Sequence, residues 1–311
     1  MRKLVLVDGN AIVHRAYHAL PPLSKKDGQL TNAVYGFFSM VLKIISDLAP
    51  THLIVCFDRP APTFRKQLYV GYQATRPKME DELSSQFKII HEILEKINVC
   101  IFELDGFEAD DLIGTISKQA VGDLNFDQVI ILTGDRDMLQ LVNHKVFILA
   151  PITGVTKMIL FDEEKVKEKY GLEPHQFVDY KSLVGDSSDN YPGVTGIGPK
   201  GAADLIARFH TLEGIYANLG EINPKTAEKL ATDAEQAAMA KKLATIELEA
   251  PISFKPEEAE LSKLDRKVLL SEFENWSFNS LITRFRLDKL TTGEKTQVKK
   301  QEVSDDQLNL L

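Results

Sequence analysis

Glu108-Ala109-Asp110-Asp111 puts three carboxylates into four residues, directly ahead of the apolar run Leu112, Ile113, Ile116 that reads as the start of a helix. Acids in a first helical turn complement the helix dipole and need no further role. Their company changes the reading. Asp8 follows the apolar run Leu4–Val7, Asp58 follows Leu53–Phe57, Asp135 and Asp137 follow Val129–Leu132, and Asp186 and Asp189 lie downstream. Like charges brought together repel strongly unless cations neutralise them. Asp8, Asp58, Glu108, Asp110, Asp111, Asp135, Asp137, Asp186 and Asp189 are therefore read as a binuclear site for hard divalent metal.

The elements that must position these acids alternate in type. Leu4–Val7, Leu53–Phe57, Val99–Leu104, Val129–Leu132 and Lys145–Ala150 read as strands, and helical periodicity separates them, as in Val34, Phe37, Phe38, Val41, Ile44, Ile45, Leu48 and in Leu83, Phe87, Ile90, Leu94, Ile97. Strands alternating with helices predict an α/β fold with a parallel sheet covered on both faces. Such sheets collect ligands at the carboxyl ends of their strands, where these acids fall. Asn10 is the expected cap of the first helix. Asp135 and Asp137, two apart in an extended segment, face one way.

Arg59 to Met79 has another character. It carries Arg59, Arg65, Lys66, Arg76 and Lys78 and no acid, with Phe64, Tyr69 and Tyr72 interleaved and Pro60, Pro62, Gly71 and Pro77 as breakers. Basic side chains among stackable rings suit a single-stranded backbone, and the breakers suggest a flexible lid or arch rather than a core element.

From about residue 160 the strand signal stops. Asp162 opens a charged helix ending at Gly171, and His175–Val184 continues as another. Asp186 and Asp189 are three apart, a spacing that shares one helical face. Gly196-x-Gly198-x-x-Gly201 matches a dinucleotide-binding fingerprint by letter, but Pro199 sits inside it and neither a preceding strand nor a βαβ unit is legible. A tight hairpin before the helix Ala202–Phe209 fits better. Gly196 and Gly198 would let a phosphate approach the backbone N–H groups at the helix start, with Lys200 adding charge. Residues 224–247 and 264–285 read as further helices with Trp276 and Phe278 in the core, and 291–302 as a polar, lysine-rich tail.

The bulk composition sets limits. The chain has 311 residues, 44% hydrophobic and 26% charged, which suits a globular protein of one or two domains. Two cysteines, Cys56 and Cys100, lie in apolar runs and are expected as free thiols in a reducing cytoplasm. The amino terminus does not read as a signal peptide, and no apolar run approaches membrane-spanning length. A net charge of −8 argues against nucleic acid, yet without the nine metal-site acids the remainder carries +1. Distribution decides, not the total.

Val7-Asp8-Gly9, Phe57-Asp58, Gly106-Phe107-Glu108-Ala109-Asp110-Asp111, Thr133-Gly134-Asp135-Arg136-Asp137, Gly185-Asp186-Ser187-Ser188-Asp189-Asn190 and Gly196-Ile197-Gly198-Pro199-Lys200 together resemble, in order, the blocks of the 5′-nuclease (flap endonuclease) superfamily. The resemblance runs over roughly residues 3–290 and is nearest to the amino-terminal 5′→3′ exonuclease domain of bacterial DNA polymerase I. It implies a PIN-like catalytic core over 1–160 with a helical arch at about 59–82. An all-helical helix-three-turn-helix subdomain over 161–290 follows, then a tail, 291–311. It implies hydrolysis of phosphodiesters at 5′ ends and 5′ flaps of DNA and of RNA primers, in replication and repair. Two Mg²⁺ ions, with Mn²⁺ as a substitute, would serve the reaction. Asp8, Asp58, Glu108, Asp110 and Asp111 group around one ion, and Asp135, Asp137, Asp186 and Asp189 serve the other. The resemblance assigns Tyr72, Gln73 and Arg76 to the catalytic face of the arch, Arg59, Arg65, Lys66, Lys78, Gly196, Gly198 and Lys200 to DNA, and a monovalent cation to the hairpin.

Two features depart from the family pattern. The arch motif usually reads Tyr-Lys and then Arg three residues later, whereas here it is Tyr72-Gln73-Ala74-Thr75-Arg76. An amide donates a hydrogen bond but cannot offset developing negative charge, so a slower enzyme is expected, with Lys66 or Lys78 as compensating charges. The sequence also ends at Leu311, where polymerase I would continue into further domains, and a separate DNA polymerase is among the expected partners. Gln307-Leu308-Asn309-Leu310-Leu311 resembles the short bacterial sliding-clamp-binding motif, through Gln307, Leu308, Leu310 and Leu311. A PIN-like ribonuclease and a catalytically weakened DNA-binding homologue are the competing readings. The hairpin and basic arch argue against the first, and retention of every site acid argues against the second.

Overall fold

The computed structural model describes residues 1–25 and 27–287. The tail and its Gln307–Leu311 motif lie outside the described residues. In chain order the elements are β1 (Lys3–Asp8), α1 (Gly9–Ala19), α2 (Asn32–Leu48), β2 (His52–Cys56), α3 (Phe64–Leu68), α4 (Asp81–Lys96), β3 (Cys100–Phe102), α5 (Ala109–Val121), β4 (Gln128–Leu132), β5 (Val146–Thr153), β6 (Lys157–Phe161), α6 (Glu163–Tyr170), α7 (Phe177–Val184), β7 (Gly185–Asp186) and β8 (Tyr191–Pro192). Six α-helices complete them among the described residues: α8 (Pro199–Phe209), α9 (Leu212–Ala217), α10 (Pro224–Thr232), α11 (Ala234–Ala244), α12 (Arg266–Asn275) and α13 (Asn279–Leu287).

The main sheet runs β3-β2-β1-β4-β5-β6, parallel except for β6. Strand order grows from β1 in one direction to β3, then restarts on its other side with β4. That reversal is a topological switch point, where two outgoing crossovers leave a crevice at the carboxyl ends of β1 and β4. Period-two alternation sends Leu4 and Leu6 to one face and Val5 and Val7 to the other. The first face packs on α5 and on α8–α11 in one continuous core, the second on α1, α2, α4, α12 and α13. The main sheet and the carboxyl-terminal helices thus share their apolar interior.

The elements follow the sequence reading closely, with corrections. β6 was not expected: it returns antiparallel along β5 through a turn at Gly154, at positive φ, and its half-exposed edge position leaves little alternation to detect. Asp186 and Asp189 do not share a helix. They lie in and after the first strand of the short antiparallel pair β7–β8. The reach 224–247 is two helices, interrupted at Asp233, whose carboxylate accepts from Thr195 N at 2.7 Å. The helical reach 264–285 likewise breaks, at Trp276 and Ser277, where Ser277 takes positive φ. Phe278 is buried, whereas Trp276 is half-buried beneath the Lys25 ammonium. Cys56 and Cys100 are both free thiols. Among the described residues no helix is long and apolar enough to cross a membrane.

Candidate active site

Each strand end contributes through its own local structure. Asp8 closes β1 and caps α1: its Oδ1 accepts from Ala11 N at 3.0 Å while its Oδ2 accepts from the Thr133 hydroxyl at 2.6 Å. Asn10, expected in that capping role, instead accepts from Asp58 N at 3.0 Å and so fixes the turn after β2. Asp58 in turn accepts from Ala109 N at 2.7 Å, locking the turn to the start of α5. Thr133 also accepts from Asp135 N at 2.9 Å, and Asp135 accepts from Asp137 N at 2.8 Å.

A cavity of about 550 Å³ opens at the switch point, and Asp8, Asp58, Glu108, Asp110, Asp135 and Asp189 all line it. Beside it, Asp137, Asp186 and Asp189 each offer a carboxylate oxygen within 4.8 Å of the others. Asp189 belongs to both groups and joins them. Asp135, expected with the second group, lines the cavity with the first, and its charge is the strongest acting on Asp110.

Burial governs the electrostatics. Desolvation pushes the Asp8, Glu108 and Asp137 carboxyls up to about 7, and neighbouring acids add to it. Asp58, Asp110 and Asp135 move up for the same first reason. Asp186 moves the other way, because hydrogen bonds from Lys181 and Ser188 outweigh its desolvation. Buried carboxylates with raised proton affinity and all-oxygen donors are what a hard divalent cation complements. The residues present fit such ions.

Asp111 is a correction. Its carboxylate is 0% exposed and receives both ends of the Arg65 guanidinium, at 2.7 and 2.8 Å, as well as Glu108 N and Glu247 N. Every lone pair that could hold an ion is used inside the fold. Arg65 is corrected with it. At 2% exposure it cannot reach DNA, and its remaining hydrogens go to Leu243 O and Thr245 O, which tie α3 and α5 to the end of α11.

The connection between β2 and α4 is no free lid. It holds α3 and a series of turns, and beyond Arg65 it docks on the acid cluster through Tyr72, Gln73 and Arg76. Tyr72, 3% exposed, donates to Glu108 at 3.1 Å and to Asp189 at 3.3 Å. Gln73 takes positive φ, donates its backbone N–H to Asp189 O at 2.8 Å and its amide to Asp189 Oδ1 at 3.3 Å. Arg76 meets the same Oδ1 at 2.5 Å. Lys66 and Lys78 are exposed, with Lys66 on the cavity rim, and Arg59 pairs with Asp105 at 3.0 Å on the surface.

The hairpin between β8 and α8 is solvent-facing: Gly196, Gly198 and Lys200 are exposed on a groove of about 640 Å³. Pro199 stands at the first turn of α8, where its missing N–H costs nothing. Lys229 donates to Gly196 O at 2.9 Å, so one carbonyl of the hairpin to which a monovalent cation was assigned already carries an ammonium.

Two site residues went unread in the sequence. Lys181, in the last turn of α7, reaches Asp137 Oδ1 at 2.6 Å and also bonds Asp186. Tyr191 is opposite Asp186 in the β7–β8 pair and stacks on Tyr72, ring centroids 6.4 Å apart. A lone lysine on a helix reads as solvated, and a lone tyrosine as core. The flanking Gly185 and Gly193 were the available signal: a Cβ on Gly185 would meet Gly193 N at 2.4 Å, a crossing that only a hairpin imposes.

Comparison with known proteins agrees with this geometry. The family model described as 5′-3′ exonuclease, N-terminal resolvase-like domain, matches residues 3–171, and that described as 5′-3′ exonuclease, C-terminal SAM fold, matches 172–267. DNA polymerase I of Bacillus subtilis is 40% identical over 310 residues, 99% of this chain and 34% of that protein. DNA polymerase I of Mycobacterium tuberculosis is 38% identical over 283 residues, 90% of this chain and 31% of that protein. The chain thus spans about a third of the length of these relatives. Among solved structures, a bacteriophage T5 flap endonuclease complex with DNA and metal ions superposes with a TM-score of 0.65 at 21% identity, covering 92% of this chain and 100% of that one. The catalytic core of Rad2 in complex with DNA substrate gives 0.55 at 15% identity, covering 91% and 92%. With both family models matched in tandem over a resolvase-like sheet and its helical extension, the chain belongs to the 5′-3′ exonuclease family.

Proposed function

We propose that this chain is a structure-specific 5′→3′ exonuclease and 5′-flap endonuclease, hydrolysing phosphodiesters of DNA and of RNA primers with two divalent ions, Mg²⁺ or Mn²⁺. The observation that carries the reading is the convergence of eight acids on one crevice, with Asp189 common to both groups and held by the basic connection above it. Asp8, Asp58, Glu108, Asp110 and Asp135 would hold one ion, and Asp137, Asp186 and Asp189 the other. Such a pair would supply charge to both the attacking and the leaving oxygen and would lower the pKa of the attacking water.

The chain's own residues do the rest. Arg76, half-exposed and paired to Asp189, can turn to a phosphate once that carboxylate is engaged elsewhere. Gln73 offers an amide where the family has an ammonium, a donor without charge. Lys66 on the rim and Lys200 at the hairpin supply phosphate contacts that position a duplex without reading its sequence. The Lys229 ammonium at Gly196 O fills the role proposed for a monovalent cation at the hairpin. A separate polymerase and a sliding clamp remain proposed partners.

Cleavage of a 5′-flap duplex and of single-stranded RNA, each with Mg²⁺ and with chelator, tests the proposal. The expected result is Mg²⁺-dependent flap incision with little RNA cleavage. Preference for single-stranded RNA would favour the ribonuclease reading, and no cleavage of either would favour the DNA-binding one.

A further inference from the structure

Of the buried side-chain oxygens that lack a well-aligned hydrogen bond, Asp137 Oδ1 and Asp179 Oδ1 are each met by a lysine ammonium, at 2.6 and 2.7 Å. The third, the Tyr191 hydroxyl, is met by nothing among the described residues. Tyr191 is 4% exposed, so bulk solvent does not reach it. A buried donor left unpaired is costly and rare, and it calls for a physical reason.

Its surroundings supply one. Directly opposed residues of an antiparallel pair project to the same face, so Tyr191 shares the face of Asp186. Its ring is held by the stack on Tyr72, which reaches Asp189. Burial and then the charges of Asp137, Asp186, Asp189 and Asp135 hold the phenol above its ordinary range, with Asp137 the strongest of these charges. A phenol hydroxyl carries one proton to donate and lone pairs to accept. Asp137 is meanwhile committed to Lys181, whose ammonium also bonds Asp186. That ammonium stands where a divalent ion would neutralise the same two carboxylates.

We infer that Tyr191 is a positioning residue for the second ion: when a divalent cation replaces the Lys181 ammonium, the Tyr191 hydroxyl donates to a carboxylate oxygen of the Asp137, Asp186 and Asp189 group that turns away from the ion. Outer hydrogen bonds of this kind fix the orientation of a ligating carboxylate and raise affinity by about 10- to 100-fold. The inference rests on the two-ion reading above, and deepens it by naming a residue outside the acid set.

Calcium titration followed by calorimetry and by thermal melting, on the wild type and on Tyr191→Phe, tests it without turnover. Phenylalanine keeps the stack on Tyr72 and removes only the hydroxyl. The expected result is one of two Ca²⁺ sites weakened by about tenfold or more, the other within about twofold, and a metal-free melting temperature equal to or above that of the wild type. Both Ca²⁺ affinities unchanged, or a lower metal-free melting temperature with both sites weakened alike, would overturn it. If the wild type binds no Ca²⁺ at all, the two-ion reading fails first, and that outcome is separate from the others.

Discussion

Asp110 and Asp111 are neighbours of one residue type with opposite tasks, and the difference is geometric. Asp110 faces a cavity of like charges, while Asp111 faces a guanidinium and two backbone N–H groups. Asp110→Ala is expected to abolish cleavage while duplex affinity stays within a few fold, checked by single-turnover assay and equilibrium binding. A proportional loss of binding would contradict the assignment. Asp111→Ala strands a buried Arg65 and should cost about 3–5 kcal/mol of stability, read by denaturant unfolding, with Ca²⁺ affinity unchanged wherever the protein is folded. Gln73 gives a third test at this scale. Its positive φ strains a lysine no more than a glutamine, so Gln73→Lys changes charge alone. A restored electrostatic contact is worth up to ~2.7–4 kcal/mol of transition-state stabilisation, and single-turnover cleavage should rise accordingly. An unchanged rate would show that Lys66, Lys78 or Arg76 already supplies that charge.

At the scale of elements, the short β7–β8 pair decides how the second acid group is assembled. Gly185 combines positive φ with backbone contacts too close for any side chain. Gly185→Ala is expected to displace Asp186 and Tyr191 together, weakening one ion site and lowering cleavage more than tenfold, for a backbone strain of about 1–3 kcal/mol. The connection between β2 and α4 was legible as basic and aromatic but not as docked. Its burial depends on Arg65 and Tyr72 finding partners 46 and 36 residues away. Charge runs in a sequence give no such information. The last turn of α7 behaves similarly: Lys181 reads as a solvated lysine until the fold sets it between Asp137 and Asp186.

For the whole molecule, the crevice stores charge repulsion that pH and cations control. Asp8, Glu108 and Asp137 titrate near 7 in the folded state against about 4 when unfolded. Between those values the folded state binds more protons, so the slope of unfolding free energy with pH is negative. Metal-free protein should therefore lose stability as pH rises from about 4 through 7, visible as a falling melting temperature. Saturating Ca²⁺ or Mg²⁺ should remove that fall, because the ions replace the protons. A metal-free melting temperature that climbs over this range would contradict the burial of these acids.

The sequence by itself determined the strands, the helices between them and the acids at their ends, because periodicity and strand-end placement are local patterns that survive without tertiary information. Five of the six sheet strands were legible in this way, and eight of the nine acids read from the sequence meet in the crevice. Only the tertiary structure decided which charges pair with each other. Asp111 with Arg65, Lys181 with Asp137 and Asp186, and Tyr191 beside the second acid group are settled by distances between segments remote in the chain. A side chain's type fixes what it can bond, and only the folded surroundings fix whether a protein group or an incoming ion takes the bond.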